Sequence, residues 1–150
     1  MYGDKGEVPD GEYLIPIGVG EIKRVGTDVT IVSFGKIIKE AYKAADALEK
    51  EGVSCEIIDL RTVRPLDFNM IMESVKKTNR LVILEEAWPF GNVASEITYQ
   101  VQQRVFDYLD APIIKINTAD TPAPFSPVLL EEWLPNFNDV IKAVKKVMYK

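Results

Sequence analysis

Histidine is absent from all 150 residues. That excludes Ser-His-Asp and Cys-His nucleophilic catalysis, and any zinc site built on imidazole. Cysteine is almost as scarce: Cys55 stands alone, so no internal disulfide can form and reducing surroundings suit the chain. With no local base and an apolar neighbourhood, Cys55 is expected to be inert packing. Positive charge is also short, with 18 Lys and Arg against 23 Asp and Glu and a net charge of −5. Phosphate-binding surfaces are basic, so nucleic acid is not an expected partner. The same balance keeps a domain soluble, and it can also draw in a basic protein by raising the association rate. No apolar run approaches the ~20 residues that span a bilayer, so no membrane partner is expected. Met1 to Glu7 lacks the cationic and then apolar pattern of a secretion leader. Phosphate-cradling glycines are missing too. Gly18-Val19-Gly20 is followed by Lys23 where a dinucleotide fingerprint needs its third glycine, and it precedes a strand-like piece rather than a helix.

What is present reads as one ordinary domain. A hydrophobic fraction of 47% and a charged fraction of 27% are those of a soluble globular protein. Residues 1–14, with Gly3, Gly6, Pro9 and Gly11 among acids, read as a linker or arm from a missing N-terminal domain, and residues 15–150 as the domain itself. Gly20 to Val25 is a short, half-polar extended piece. Val29 to Phe34 is β-branched and almost continuously apolar, as a strand covered on both faces requires. Lys36 to Glu51 is helical, with Ile37, Ala41, Ala44, Ala45 and Leu48 recurring and Gly52 as its stop. Cys55 to Leu60, Leu81 to Leu84 and Ile113 to Ile116 are further strands. Asp67 and Asn92 can each cap a helix. A proline-rich loop (Pro122, Pro124, Pro127) leads to a last helix with a stripe of Val140, Ile141, Val144, Val147 and Met148. Buried strands alternating with amphipathic helices predict an α/β class, three-layer α/β/α sandwich. Its sheet should be mostly parallel, of about five strands, with the piece near Ile22 as a possible antiparallel edge strand.

Ligands in such folds sit beyond the carboxyl ends of the strands. Glu85-Glu86 end one strand and can in principle serve as general acid and base. Adjacent residues of an extended chain point opposite ways, however, so solvated charge or hydrogen bonding to neighbouring loops is the plainer reading. Asp59, Arg61 and Arg64 surround the end of another strand, as an anion site or as an ion pair tying one loop to the next. Trp88-Pro89-Phe90 and Pro124-Phe125 place large apolar groups on two loops at the same end. They read either as an interface or as loops folded back on the core. No complete catalytic set can be assembled.

The order of motifs is familiar. Ile15-Pro16-Ile17-Gly18, Gly26-Thr27-Asp28-Val29-Thr30-Ile31-Val32, and the run Glu56 to Asp67 with its Arg-x-x-Arg-Pro-Leu-Asp segment closely resemble the C-terminal domain of 2-oxo-acid dehydrogenase beta subunits, most of all those of pyruvate dehydrogenases. So do Glu85-Glu86-Ala87-Trp88-Pro89, Tyr108-Leu109-Asp110-Ala111-Pro112, the Pro122 to Phe125 loop and Trp133 to Ile141, and Met1-Tyr2-Gly3 resembles the junction into that domain. The resemblance implies a transketolase C-terminal-type domain. It implies that thiamine diphosphate and magnesium, with the catalytic histidines, lie outside this chain, between an alpha subunit and the beta subunit's N-terminal domain. No catalytic, cofactor or metal residue is then expected here. The implied work is assembly in a heterotetramer: pairing with a second beta subunit, supporting alpha, and docking the peripheral subunit-binding domain of the dihydrolipoyl acyltransferase. On that resemblance Asp110 and the carboxylate of Lys150 are the docking residues, and Trp88, Pro89, Phe90, Pro124 and Phe125 the subunit-interface loops. The intact enzyme would decarboxylate a 2-oxo acid and pass the acyl group to lipoamide, in a bacterial cytoplasm or a mitochondrial matrix. A branched-chain 2-oxo-acid dehydrogenase beta subunit and a free-standing α/β module are the competing readings.

Overall fold

A computed structural model of the chain describes residues 5–7 and 10–150. The Met1-Tyr2-Gly3 junction lies outside the described residues. Five strands form one sheet: β1 (Glu21–Arg24), β2 (Val29–Ser33), β3 (Cys55–Asp59), β4 (Leu81–Leu84) and β5 (Ile114–Ile116). Their order across the sheet is β1-β3-β2-β4-β5. β2 to β5 run parallel, and β1 lies antiparallel on β3 at the edge, as its half-polar sequence predicts.

Helices cover both faces. Consecutive strand residues point to opposite sides, so each continuous apolar run feeds two cores. On one side Ile31, Ile57, Val82 and Leu84 pack against α1 (Ile38–Glu49) and α5 (Phe137–Val147). On the other, Val32, Ile58, Leu81 and Ile83 pack against α2 (Phe68–Thr78) and α3 (Val93–Val105). Cys55 is buried in the first core, and burial pushes its thiol up to about 11. It stays protonated at neutral pH and is a poor nucleophile.

One polar seam runs through this apolar sandwich. Thr30, in the middle of β2, shares hydroxyl hydrogen bonds with Ser74 (2.6 Å) and Thr78 (2.7 Å) of α2. Ser74 donates onward to the Glu56 carboxylate at 2.6 Å, which also pairs with Lys77 and accepts from the Gly26 N–H. Glu56 is 1% exposed, and a buried charge is tolerated only when paired and hydrogen-bonded in this way. A Cβ on Gly26 would lie 2.2 Å from the Cys55 carbonyl carbon, so the turn between β1 and β2 admits no side chain at this position.

The last stretch departs from expectation. Between the proline-rich loop and α5 the chain forms a further helix, α4 (Pro127–Trp133). Pro127 opens it, where a fixed φ and a missing N–H suit the first helical turn, so the third proline begins a helix instead of extending the loop. The first helix is also shorter than Lys36 to Glu51, and Ile37 supplies no side-chain cap.

Candidate interaction sites at the two ends of the sheet

At the carboxyl end of the parallel strands, the loop after β4 and the loop after β5 are fastened side by side. The Trp88 and Trp133 indoles both donate to the Thr121 carbonyl, at 2.9 and 3.0 Å. Thr118 N–H donates to Ala87 O, and Ala119 N–H to Trp133 O. Lys115 Nζ reaches Pro89 O (3.0 Å) and Ser95 Oγ (2.8 Å), while Asn92 Nδ2 holds Trp88 O at 2.6 Å. On this fixed base the apolar side chains point outward. Phe125 is wholly exposed, Phe90 is 90% exposed, and Trp88, Val128 and Leu129 are also exposed. Pro89 is exposed and Pro124 half-buried. The two phenylalanines are therefore not folded back on the core.

Glu85 and Glu86 separate, as an extended chain requires. Glu86 is exposed, but Glu85 is fully buried and not solvated. Its carboxylate accepts from the Ala94 N–H at the start of α3 and from Asn117 Nδ2 at 3.0 Å. Burial raises its pKa above the ordinary 4.5, with the Asn117 and Ala94 hydrogen bonds opposing. It ties the two loops to α3, and the Lys115 ammonium also favours its charged form. Asp59 and Arg61 do meet: the Arg61 N–H donates to Asp59 Oδ1 at 3.0 Å, and its guanidinium pairs with Glu21 of β1. Arg61 holds a left-handed φ of 56° to do so. The ion pair thus ties this loop to the edge strand through Glu21, rather than joining Asp59, Arg61 and Arg64 to one another; Arg64 stays exposed outside it. The segment that leads into β1 is pinned at this same end, with Gly18 N–H on Thr62 Oγ1 and Gly20 N–H on Asp67.

Asp110 occupies the opposite, amino end of the strands. Its N–H bonds Asn79 O just before β4, and its side chain is 56% exposed. Tyr149 Oη donates to its carbonyl at 3.1 Å, which ties Asp110 to the chain just after α5. A second neighbour, Arg80, carries no local signal in the sequence. Its Nη2 lies 3.2 Å from Asp110 Oδ2 while its Nε donates to Val147 O at 3.1 Å. Arg80 and Tyr149 sit 30 and 39 residues from Asp110 along the chain, and only the packing of α5 across the sheet unites them. A cavity of about 360 Å³, lined by Gln102, Phe106, Leu109, Ala111 and Pro112, opens next to Asp110.

Thiamine diphosphate and magnesium do not fit these residues. Among the described residues no three His, Cys, Asp or Glu are grouped to hold a metal. No glycine loop cradles a diphosphate either, and no helix among them is long and apolar enough to cross a membrane.

Comparison with known proteins agrees with the fold. The chain is 49% identical to the pyruvate dehydrogenase E1 component subunit beta of Rhizobium meliloti, over all of this chain and 33% of that protein. It is 45% identical to the acetoin:2,6-dichlorophenolindophenol oxidoreductase subunit beta of Cupriavidus necator, over 99% of this chain and 44% of the relative. The chain thus spans between a third and a half of the curated relatives it matches. A solved chain described as a split gene transketolase, an inactive beta4 tetramer, superposes with a TM-score of 0.80 at 28% identity. That match covers 96% of this chain and 46% of the other. Residues 18–140 match the model of the transketolase C-terminal domain. With the mostly parallel sheet, its antiparallel edge strand and its helical layers in agreement, the chain belongs to the transketolase C-terminal domain family.

Proposed function

We propose that this chain is the assembly and docking domain of a 2-oxo-acid dehydrogenase beta subunit, with pyruvate as the first candidate substrate of the whole enzyme. The observation that carries this reading is the separation of two surfaces. A rigidly fastened set of exposed aromatic and aliphatic side chains lies at one end of the sheet, and an exposed acid lies at the other, with no catalytic cluster between them among the described residues. Exposed apolar groups on a fixed base suit a permanent neighbour. In this reading Trp88, Pro89, Phe90, Pro124 and Phe125 face the alpha subunit and a second beta subunit. Asp110 and the Lys150 end of the chain meet the basic peripheral subunit-binding domain of the acyltransferase, through charge-assisted hydrogen bonds that favour fast, oriented encounter.

Residues 15–150 form the domain and 1–14 the arm that leads into it. Thiamine diphosphate and magnesium belong to other parts of the enzyme, and this chain alone turns over no pyruvate. The oxidation of a 2-oxo acid takes place in a bacterial cytoplasm or a mitochondrial matrix. The acetoin-linked relative, as similar as it is, supports the view that substrate choice is made outside this domain.

Asp110→Lys in the assembled enzyme tests the docking role. Affinity for the subunit-binding domain is expected to fall at least tenfold, with decarboxylation by an artificial electron acceptor unchanged. Unaltered affinity would remove Asp110 from the surface. A panel of 2-oxo acids supplied to the assembled enzyme decides the substrate.

A further inference from the structure

The docking acid is not free in this fold. Arg80 is held from behind, because its Nε donates to the Val147 carbonyl at the C-terminal end of α5, where the helix dipole favours a cation. From that anchor its Nη2 lies 3.2 Å from Asp110 Oδ2. Its side chain is 23% exposed against 56% for Asp110. The guanidinium thus stands between the acid and the body of the domain, and the open side of the carboxylate faces solvent. The planar fork of arginine makes both contacts at once, which a lysine cannot.

We infer that Arg80 is an internal competitor that limits how tightly a basic partner holds Asp110, and so keeps docking reversible. This rests on the docking reading above. An arriving cation must share a carboxylate already engaged by Arg80, and it also meets the repulsion of a fixed positive charge. Arg80 is therefore a positioning and affinity-setting residue, and its removal strengthens the interaction that removal of Asp110 destroys.

The test compares variants of the assembled decarboxylase, titrated with a purified peripheral subunit-binding domain of an acyltransferase at low and physiological salt. Arg80→Gln is expected to tighten binding about two- to fivefold, the range of an exposed ion pair. The gain should shrink at higher ionic strength as screening shortens to about 8 Å. Arg80→Met, which keeps the apolar stem, serves as a second charge-removing variant should the first fail to assemble. Arg80→Lys, which keeps the charge but not the double contact, is expected to bind as the parent does. Asp110→Asn must weaken binding in the same series. If Asp110→Asn weakens binding while neither neutral variant tightens it, Arg80 is no competitor and the docking reading survives. If Arg80→Lys tightens as much as Arg80→Gln, a loosened α5 end and not charge is responsible, and the inference fails. If Asp110→Asn changes nothing, the docking reading itself is wrong.

Discussion

The Ala94 N–H at the start of α3 donates to the Glu85 carboxylate, and Asn117 closes over it from the neighbouring loop. Of the two plain readings of Glu85, solvated charge and hydrogen bonding to neighbouring segments, the structure takes the second. Burial raises its pKa in the folded state, so the folded protein binds this proton more tightly than the unfolded chain does. Its contribution to stability is then complete below the ordinary value of 4.5 and is lost as pH rises from there through the folded value. Glu85→Gln keeps an acceptor for Asn117 and Ala94 but carries no titrating charge. Urea unfolding of both forms between about pH 4 and 8 is expected to show a flatter profile for the glutamine variant. Profiles that stay parallel over that range would mean Glu85 does not titrate differently on folding.

Among the elements, the helices with side-chain caps were the most legible. Asp67 and Asn92 accept from Met70 N–H and Ser95 N–H as their placement ahead of apolar periodicity predicts. Strands were nearly as clear, because β2 and β4 lie between two helical layers and their sequences are apolar on both faces. α4 was hidden by composition: a stretch with three prolines reads as loop until one of them proves to stand at a helix start. The hydroxyl seam of Thr30, Ser74 and Thr78 was invisible for another reason, since its partners lie more than 40 residues from Thr30 and only the register of α2 over β2 joins them. Arg80 against Asp110 escaped in the same way. Asn92 has a double role that can be measured, for it caps α3 and also grips the Trp88 carbonyl. Asn92→Ala is expected to cost about 0.5–2 kcal/mol in denaturant unfolding. It should also speed hydrogen exchange across residues 88–92 relative to the strands, whereas an unchanged exchange pattern would show that the loop holds its shape without this contact.

For the whole molecule, the two ends of the sheet are mechanically distinct and can be impaired separately. Phe90→Asp combined with Phe125→Asp removes exposed apolar surface without touching either core. Unfolding stability is expected to stay within about 0.5 kcal/mol, while light scattering shows the subunit failing to assemble with its neighbours. Full assembly by that variant would move the interface elsewhere. The antiparallel β1 sets the end of the sheet at which the domain is entered. The segment before β1 is tethered beside Thr62 and Asp67, at the aromatic end, whereas the residues after α5 lie at the other end, where Tyr149 bonds Asp110. On the proposed docking reading, an affinity handle joined after Lys150 would hang over Asp110 and screen it from a basic partner. The same handle joined upstream of Gly18 leaves that surface bare, so the point of attachment predetermines whether the proposed encounter can be observed.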